Sequence, residues 1–164
     1  MPIRVFVTGG TFDKQYNEIE GRLSFHSTHV EDVLERGRCK LDVKVTVLMM
    51  MDSLDMQASD RAQIVEACQR GAEQQVVITH GTDTMVETAA AIAAAVPEKT
   101  VVLTGALIPF VFGSSDGLFN LGSALSFVQL LPVGVYLAMN GRWFAWNDVR
   151  KNRELGVFES ISPA

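Results

Sequence analysis

At 164 residues, 48% hydrophobic and 20% charged, the chain has the size and balance of one globular domain with a sizeable core. A net charge of −5 argues against a nucleic-acid footprint, and no apolar run approaches the roughly 18 residues that span a bilayer. Cys39 and Cys68 lack metal-ligand spacing and make no disulfide framework, so buried free thiols in a cytoplasmic protein are expected.

Met1-Pro2-Ile3-Arg4 passes directly into a strand over 3–7, with no signal-peptide pattern, and that strand ends at Thr8-Gly9-Gly10-Thr11. Glycines there let the backbone approach a ligand closely. Residues 12–29 are polar and irregular; Tyr16, Glu18, Glu20 and Gly21 point to a mobile hairpin or flap over that strand end. Val30, Val33 and Leu34 give a short helix over 30–38. A second strand over 41–51 closes on Asp52-Ser53-Leu54-Asp55-Met56, with Met49-Met50-Met51 as core filler. Ser59-Asp60 is the expected cap of a helix carrying Ile64, Val65, Ala67 and Cys68 to Gly71. The pattern then gives a strand over 75–79, a helix over 82–96 stopped by Pro97, and a strand over 100–104. A loop over 108–119 leads to a helix over 120–130, a fifth strand over 134–139 and the turn signal Asn140-Gly141. A short returning strand over 143–146 and a polar ending over 147–164 complete the chain, with no repeat or linker.

Apolar strands alternating with helices predict an α/β fold, a three-layer α/β/α arrangement around a mostly parallel central sheet of the flavodoxin or Rossmann-like kind. The polar clusters 8–11, 52–55 and 79–83 all follow the carboxyl ends of strands, so one sheet edge collects them. Thr82, Asp83 and Thr84 fall at a helix start, where free N–H groups and the dipole favour an anion; an ordinary N-cap reads the same way.

Several chemistries lack a signature. Neither G-x-G-x-x-G nor G-x-x-x-x-G-K-[ST] is present, so no nucleotide cofactor is expected. His26 and His29 have no third ligand nearby in sequence, so no metal is expected, and the absence of G-x-S-x-G removes a nucleophile elbow. What remains is a set of threonines, an acid and a lysine. A hydroxyl at neutral pH needs a base to become a nucleophile, and a desolvated lysine oriented by an aspartate can be that base. Lys151, in Asp148-Val149-Arg150-Lys151, follows the last hairpin and can fold back over the polar edge; a solvated surface lysine is the alternative.

Thr8-Gly9-Gly10-Thr11, Asp52-Ser53-Leu54-Asp55-Met56 and Thr79-His80-Gly81-Thr82-Asp83-Thr84 resemble the bacterial L-asparaginase/glutaminase family. Gly105-Ala106-Leu107-Ile108-Pro109, Ser115-Asp116-Gly117-Leu118-Phe119-Asn120-Leu121 and Asp148-Val149-Arg150-Lys151 continue the match in the same order, from Ile3 to Lys151. The resemblance implies an asparaginase N-terminal domain type of fold and a threonine amidohydrolase releasing ammonia from L-asparagine through an acyl-enzyme. It implies Thr11 as nucleophile, with Thr82, Asp83 and Lys151 as the second catalytic threonine and its partners. Tyr16 is the nearest candidate for an activating flap tyrosine. Ser53 matches the residue holding the substrate α-carboxylate, Asp83 also the one facing the α-ammonium. Gly10 and Gly81 are expected to bind substrate, and two backbone N–H groups near Gly10 and Thr82 to stabilise the oxyanion.

The sequence departs from the family pattern in three ways. Residues 1–164 are expected to form a single domain without the family's smaller C-terminal domain, so the carboxylate that domain supplies must come from elsewhere, for example Glu18 or Glu20. Leu54 stands where a polar residue helps bind the α-ammonium, and Tyr16 lies closer to Thr11 than the usual spacing. A small-amide or amino-acid binding or regulatory domain with little catalysis is therefore the competing expectation, and an assembly role a third. The apolar segments Phe110-Val111-Phe112 and Trp143-Phe144-Ala145-Trp146, with the family habit, predict a homodimer or homotetramer.

Overall fold

The computed structural model describes residues 1–163. In chain order its elements are β1 (Ile3–Gly9), β2 (Lys14–Asn17), β3 (Arg22–Phe25), α1 (Val30–Arg36), β4 (Val43–Met51), α2 (Ala58–Arg70) and β5 (Gln75–Thr79). Then come α3 (Met85–Ala95), β6 (Thr100–Thr104), α4 (Gly117–Leu130), β7 (Gly134–Met139), β8 (Arg142–Ala145), β9 (Arg150–Asn152) and β10 (Val157–Glu159). Short 3-10 turns occupy Thr11–Asp13, Ser53–Asp55 and Phe110–Phe112.

The main sheet has the order β4-β1-β5-β6-β7-β8. All pairs are parallel except β7 with β8, which returns antiparallel through Asn140-Gly141. Strand parity explains the layers. Ile3, Val5 and Val7 of β1, Val77, Val102, Tyr136 and Ala138 bury one face beneath α1 and α4. Phe6, Val76, Ile78, Val101, Leu103, Val135 and Leu137 bury the other beneath α2 and α3. Each such aliphatic side chain removed from water contributes about 1.5–3 kcal/mol, so both faces of the sheet must be covered. Met49 and Met51 pack into one core and Met50 into the other, as filler on a strand does.

From β1 the chain crosses to β4 on one side and then returns to β5 on the other. The carboxyl ends of β1 and β5 therefore flank the topological switch point, where open α/β sheets form a crevice.

Several boundaries differ from the sequence reading. α2 begins at Ala58, not after Ser59: the Asp60 carboxylate accepts the Gln57 N–H at 2.7 Å, which fixes the entry one turn position earlier. Gly71 closes that helix in an extended conformation, φ −60°, so no left-handed cap forms there. The helix expected from Thr82 starts only at Met85, because Thr84 is held by Ser53: its Oγ1 donates to the Ser53 carbonyl at 2.9 Å. α4 starts at Gly117 rather than Asn120. The polar ending contains a β9–β10 hairpin, anchored by the buried Phe158 opposite Lys151. Cys68 is buried as expected, whereas Cys39 is only half-buried at the end of α1.

Candidate active site

Three strand-end loops meet at the switch point, and two glycines allow it. Gly10 has φ +77°, and a Cβ there would overlap the Gly81 backbone, so the loops after β1 and β5 touch through main chain. A Cβ on Gly81 would lie 2.6 Å from Ser53 Cβ and Oγ, which brings the loop after β4 against the same turn. Ser53 is buried there, and its Oγ accepts the Thr84 N–H at 3.3 Å.

Lys151 arrives from β9. Its Nζ donates to Thr82 Oγ1 at 2.8 Å and to Asp83 Oδ1 at 2.9 Å. The lysine side chain is 15% exposed and the aspartate 32%. A hydroxyl, an amine and a carboxylate thus stand in hydrogen-bonded sequence, the geometry of nucleophile or proton relay, base and orienter. Arg153 closes the rim: its Nη2 donates to the Asp83 carbonyl at 3.2 Å, and its Nε lies 3.9 Å from Asp83 Oδ1. β9 is too short and polar to hold this position alone. Phe158, paired with Lys151 across the hairpin and packed into the core, fixes it.

Thr11 begins the 3-10 turn directly after Gly10 and is half-buried. Phe12 and Asp13 behind it are buried, Phe12 stacked on Phe110 with centroids 6.3 Å apart. Burial pushes the Asp13 carboxyl upward, against the His29 N–H and Thr28 hydroxyl bonds that favour its charge. Those bonds tie the turn after Thr11 to the start of α1.

The Gly10 N–H is not available to a substrate, since it donates to the Met51 carbonyl at 3.0 Å. The N–H groups of Thr11 and Thr82 have no backbone partner among the described residues. Both lie at the expected places, beside Gly10 and in the turn after β5.

The β2–β3 hairpin forms the expected flap, with Tyr16 opposite Leu23. Tyr16 is 57% exposed and lines a polar cavity with Glu18, Glu20 and His26. Lys14, at the start of the flap, forms an ion pair with Asp52 that links the flap to the loop carrying Ser53. That contact holds the Asp52 carboxyl below its ordinary range. Leu54 is 61% exposed beside Ser53. No cluster of metal-ligating side chains exists among the described residues.

A second network, with no role assigned to it by the sequence, shapes the neighbouring loop. Asp116 accepts the N–H groups of Leu107 and Ile108 at 3.0 and 3.1 Å, and Asn120 bridges the Gly105 carbonyl, at 2.8 Å, to the Asn140 N–H, at 2.9 Å. The sequence signal for it is Asn120 set among Leu118, Phe119 and Leu121, and the structure buries that asparagine fully.

Comparison with known proteins places the whole chain against one family. The family model described as Asparaginase, N-terminal matches residues 2–162. L-asparaginase 1 of Escherichia coli is 35% identical over 179 residues, covering 98% of this chain and 50% of the relative. The structure of the thermostable L-asparaginase from Thermococcus kodakarensis superposes with a TM-score of 0.87 at 30% identity, covering 100% of this chain and 52% of that one. L-asparaginase I from Vibrio cholerae superposes with a TM-score of 0.81 at 29% identity, over 97% of this chain and 51% of that one. The chain spans about half the length of the curated relatives it matches.

Proposed function

The chain belongs to the asparaginase family, and on that premise we propose that it is an amidohydrolase, releasing ammonia from the side-chain amide of L-asparagine or a related linear amide. The observation that carries this reading is the Thr82–Lys151–Asp83 chain of hydrogen bonds, beside the glycine-bridged loop of Thr11 at the switch point.

In the proposed reaction Thr11 Oγ attacks the amide carbon, and the carbonyl oxygen becomes an oxyanion facing the free N–H groups of Thr11 and Thr82. Each such donor contributes about 3–4 kcal/mol to barrier lowering where it has been removed by mutation. The proton leaving Thr11 passes through the Thr82–Lys151 pair to the departing nitrogen, which leaves as ammonia. Water then hydrolyses the threonine ester, returning the proton and freeing the acid. Asp83 keeps Lys151 aimed at Thr82 throughout. The buried Ser53 hydroxyl, against Gly81, takes the substrate carboxylate. Tyr16 is assigned to the flap that closes over the site, and no cofactor is required.

A second reading follows from one distance. Thr82 Oγ1, not Thr11, touches the lysine at 2.8 Å, so Thr82 is the alternative nucleophile. A binding or regulatory domain without turnover is the competing function. We place the protein in a reducing compartment such as the cytoplasm, consistent with two free thiols, and assign it a homo-oligomeric state.

Ammonia release from L-asparagine, L-glutamine and small amides tests the activity. Turnover lost in Thr11→Ala supports it; silence on every amide, with asparagine or aspartate bound in calorimetry, replaces it with the binding domain.

A further inference from the structure

His80 sits between the last residue of β5 and the turn that carries Thr82, fully buried, and the reaction above makes no use of it. Both ring nitrogens are engaged. Nδ1 lies 2.7 Å from the Gly81 carbonyl oxygen and Nε2 lies 2.8 Å from Thr88 Oγ1, on α3. A carbonyl only accepts, so Nδ1 must carry the hydrogen; in a neutral imidazole Nε2 is then an acceptor, and the Thr88 hydroxyl donates to it. Burial first, opposed by the Gly81 bond and reinforced by Arg61, pushes the ring down to about 4, so the imidazole is neutral at physiological pH. Around it the backbone is packed without slack: the His80 N–H donates to the Thr104 carbonyl at 2.8 Å, and a Cβ on Gly105 would overlap the His80 carbonyl.

The peptide bond between Gly81 and Thr82 is planar and trans, so its C=O and N–H point in opposite directions. His80 draws the C=O towards the core. The N–H of Thr82 is thereby turned outward, and it has no backbone partner among the described residues. We infer that His80 is a positioning residue: it fixes the Gly81–Thr82 peptide plane so that the Thr82 N–H is preset as an oxyanion donor, and Thr88, donating to Nε2, holds the ring in the orientation that lets it do so. This inference rests on the amidohydrolase reading for its catalytic consequence, but not for its geometry.

The roles of the two bonds differ in kind. Loss of the Thr88 donor leaves Nε2 buried and unsatisfied, which favours a turn of the ring; a turned ring places Cδ2–H against the Gly81 carbonyl in place of the Nδ1–H donor. The peptide plane then rotates and the Thr82 N–H moves off its line. Such a shift acts on the transition state, where the oxyanion develops, more than on the bound amide, so kcat falls while KM changes little.

Two measurements test this. Long-range proton–nitrogen correlation spectra of the imidazole report the tautomer of the intact protein without turnover. Hydrogen on Nδ1 is expected; hydrogen on Nε2 overturns the inference. Kinetics of Thr88→Val should show kcat reduced by up to roughly 100-fold with KM near the wild-type value, and Thr88→Ser, which keeps the donor, should restore it. A Thr88→Val enzyme with wild-type kcat overturns the inference even if the tautomer is as expected. No ammonia release together with an Nδ1–H ring sinks the amidohydrolase reading and leaves the fixed peptide plane standing. Turnover with an Nε2–H ring sinks this inference alone.

Discussion

The buried His80 makes a quantitative demand on stability. Its folded-state pKa is about 4, against an ordinary value of 6.5, mainly through desolvation. Above pH 6.5 the ring is neutral in folded and unfolded chains alike and contributes no pH dependence. As pH falls through 6.5 the unfolded chain takes up a proton that the folded protein refuses until about pH 4, so stability drains across that window. The gap between the two values corresponds to a loss of about 3 kcal/mol by pH 4. Urea unfolding, followed by the fluorescence of Trp143 and Trp146, measures it in the wild type and in His80→Gln at about pH 7 and about pH 4. The glutamine variant is less stable at both pH values, but its loss between them should be smaller than the wild type's by about that amount. Asp13, whose carboxyl is raised by burial, contributes in the opposite direction and equally in both proteins, so the difference isolates His80. Equal losses in the two proteins would refute the reasoning.

Three other substitutions probe the crevice and its supports. Lys151→Met should abolish turnover by removing the group bonded to both Thr82 and Asp83, and normal steady-state kinetics would remove the lysine from the mechanism. Gly10→Ala should cost at least about 1–2 kcal/mol from its left-handed backbone alone, with more from the overlap with Gly81; wild-type thermal stability would contradict the close approach of the two loops. Asp116→Ala leaves the Leu107 and Ile108 N–H groups without their partner, and should cost about 1.5–3 kcal/mol, read as a lower urea midpoint; an unchanged midpoint would show that water replaces the carboxylate.

The strands most legible in the sequence were β5, β6 and β7, because a short apolar run bounded by Gly, Pro or a polar turn, β-branched in β5 and β6, is too short for a helix. Their bounds in the structure are those the pattern gave. Helix starts were less legible, since tertiary contacts set them: Thr82–Thr84 has capping chemistry, yet Ser53 holds Thr84 outside the helix. The β9–β10 hairpin was missed because Arg150-Lys151-Asn152 has no alternation of its own; one residue, Phe158, anchors it from the far strand. The threonines, Asp83 and Lys151 stood out as strand-end polar residues, and the fold brings Thr82, Asp83 and Lys151 into direct contact. His80 did not stand out, because its role depends on a backbone carbonyl and on a threonine eight residues away on the next helix, neither visible as a side-chain motif.

The most direct test of the threonine mechanism is rapid-quench mass spectrometry of the protein mixed with L-asparagine, with peptide mapping of any adduct. An aspartyl ester on the peptide carrying Thr11, absent from Thr11→Ala, is the predicted result. An ester mapped to Thr82, or full turnover in Thr11→Ala, would contradict the assignment of Thr11 as nucleophile.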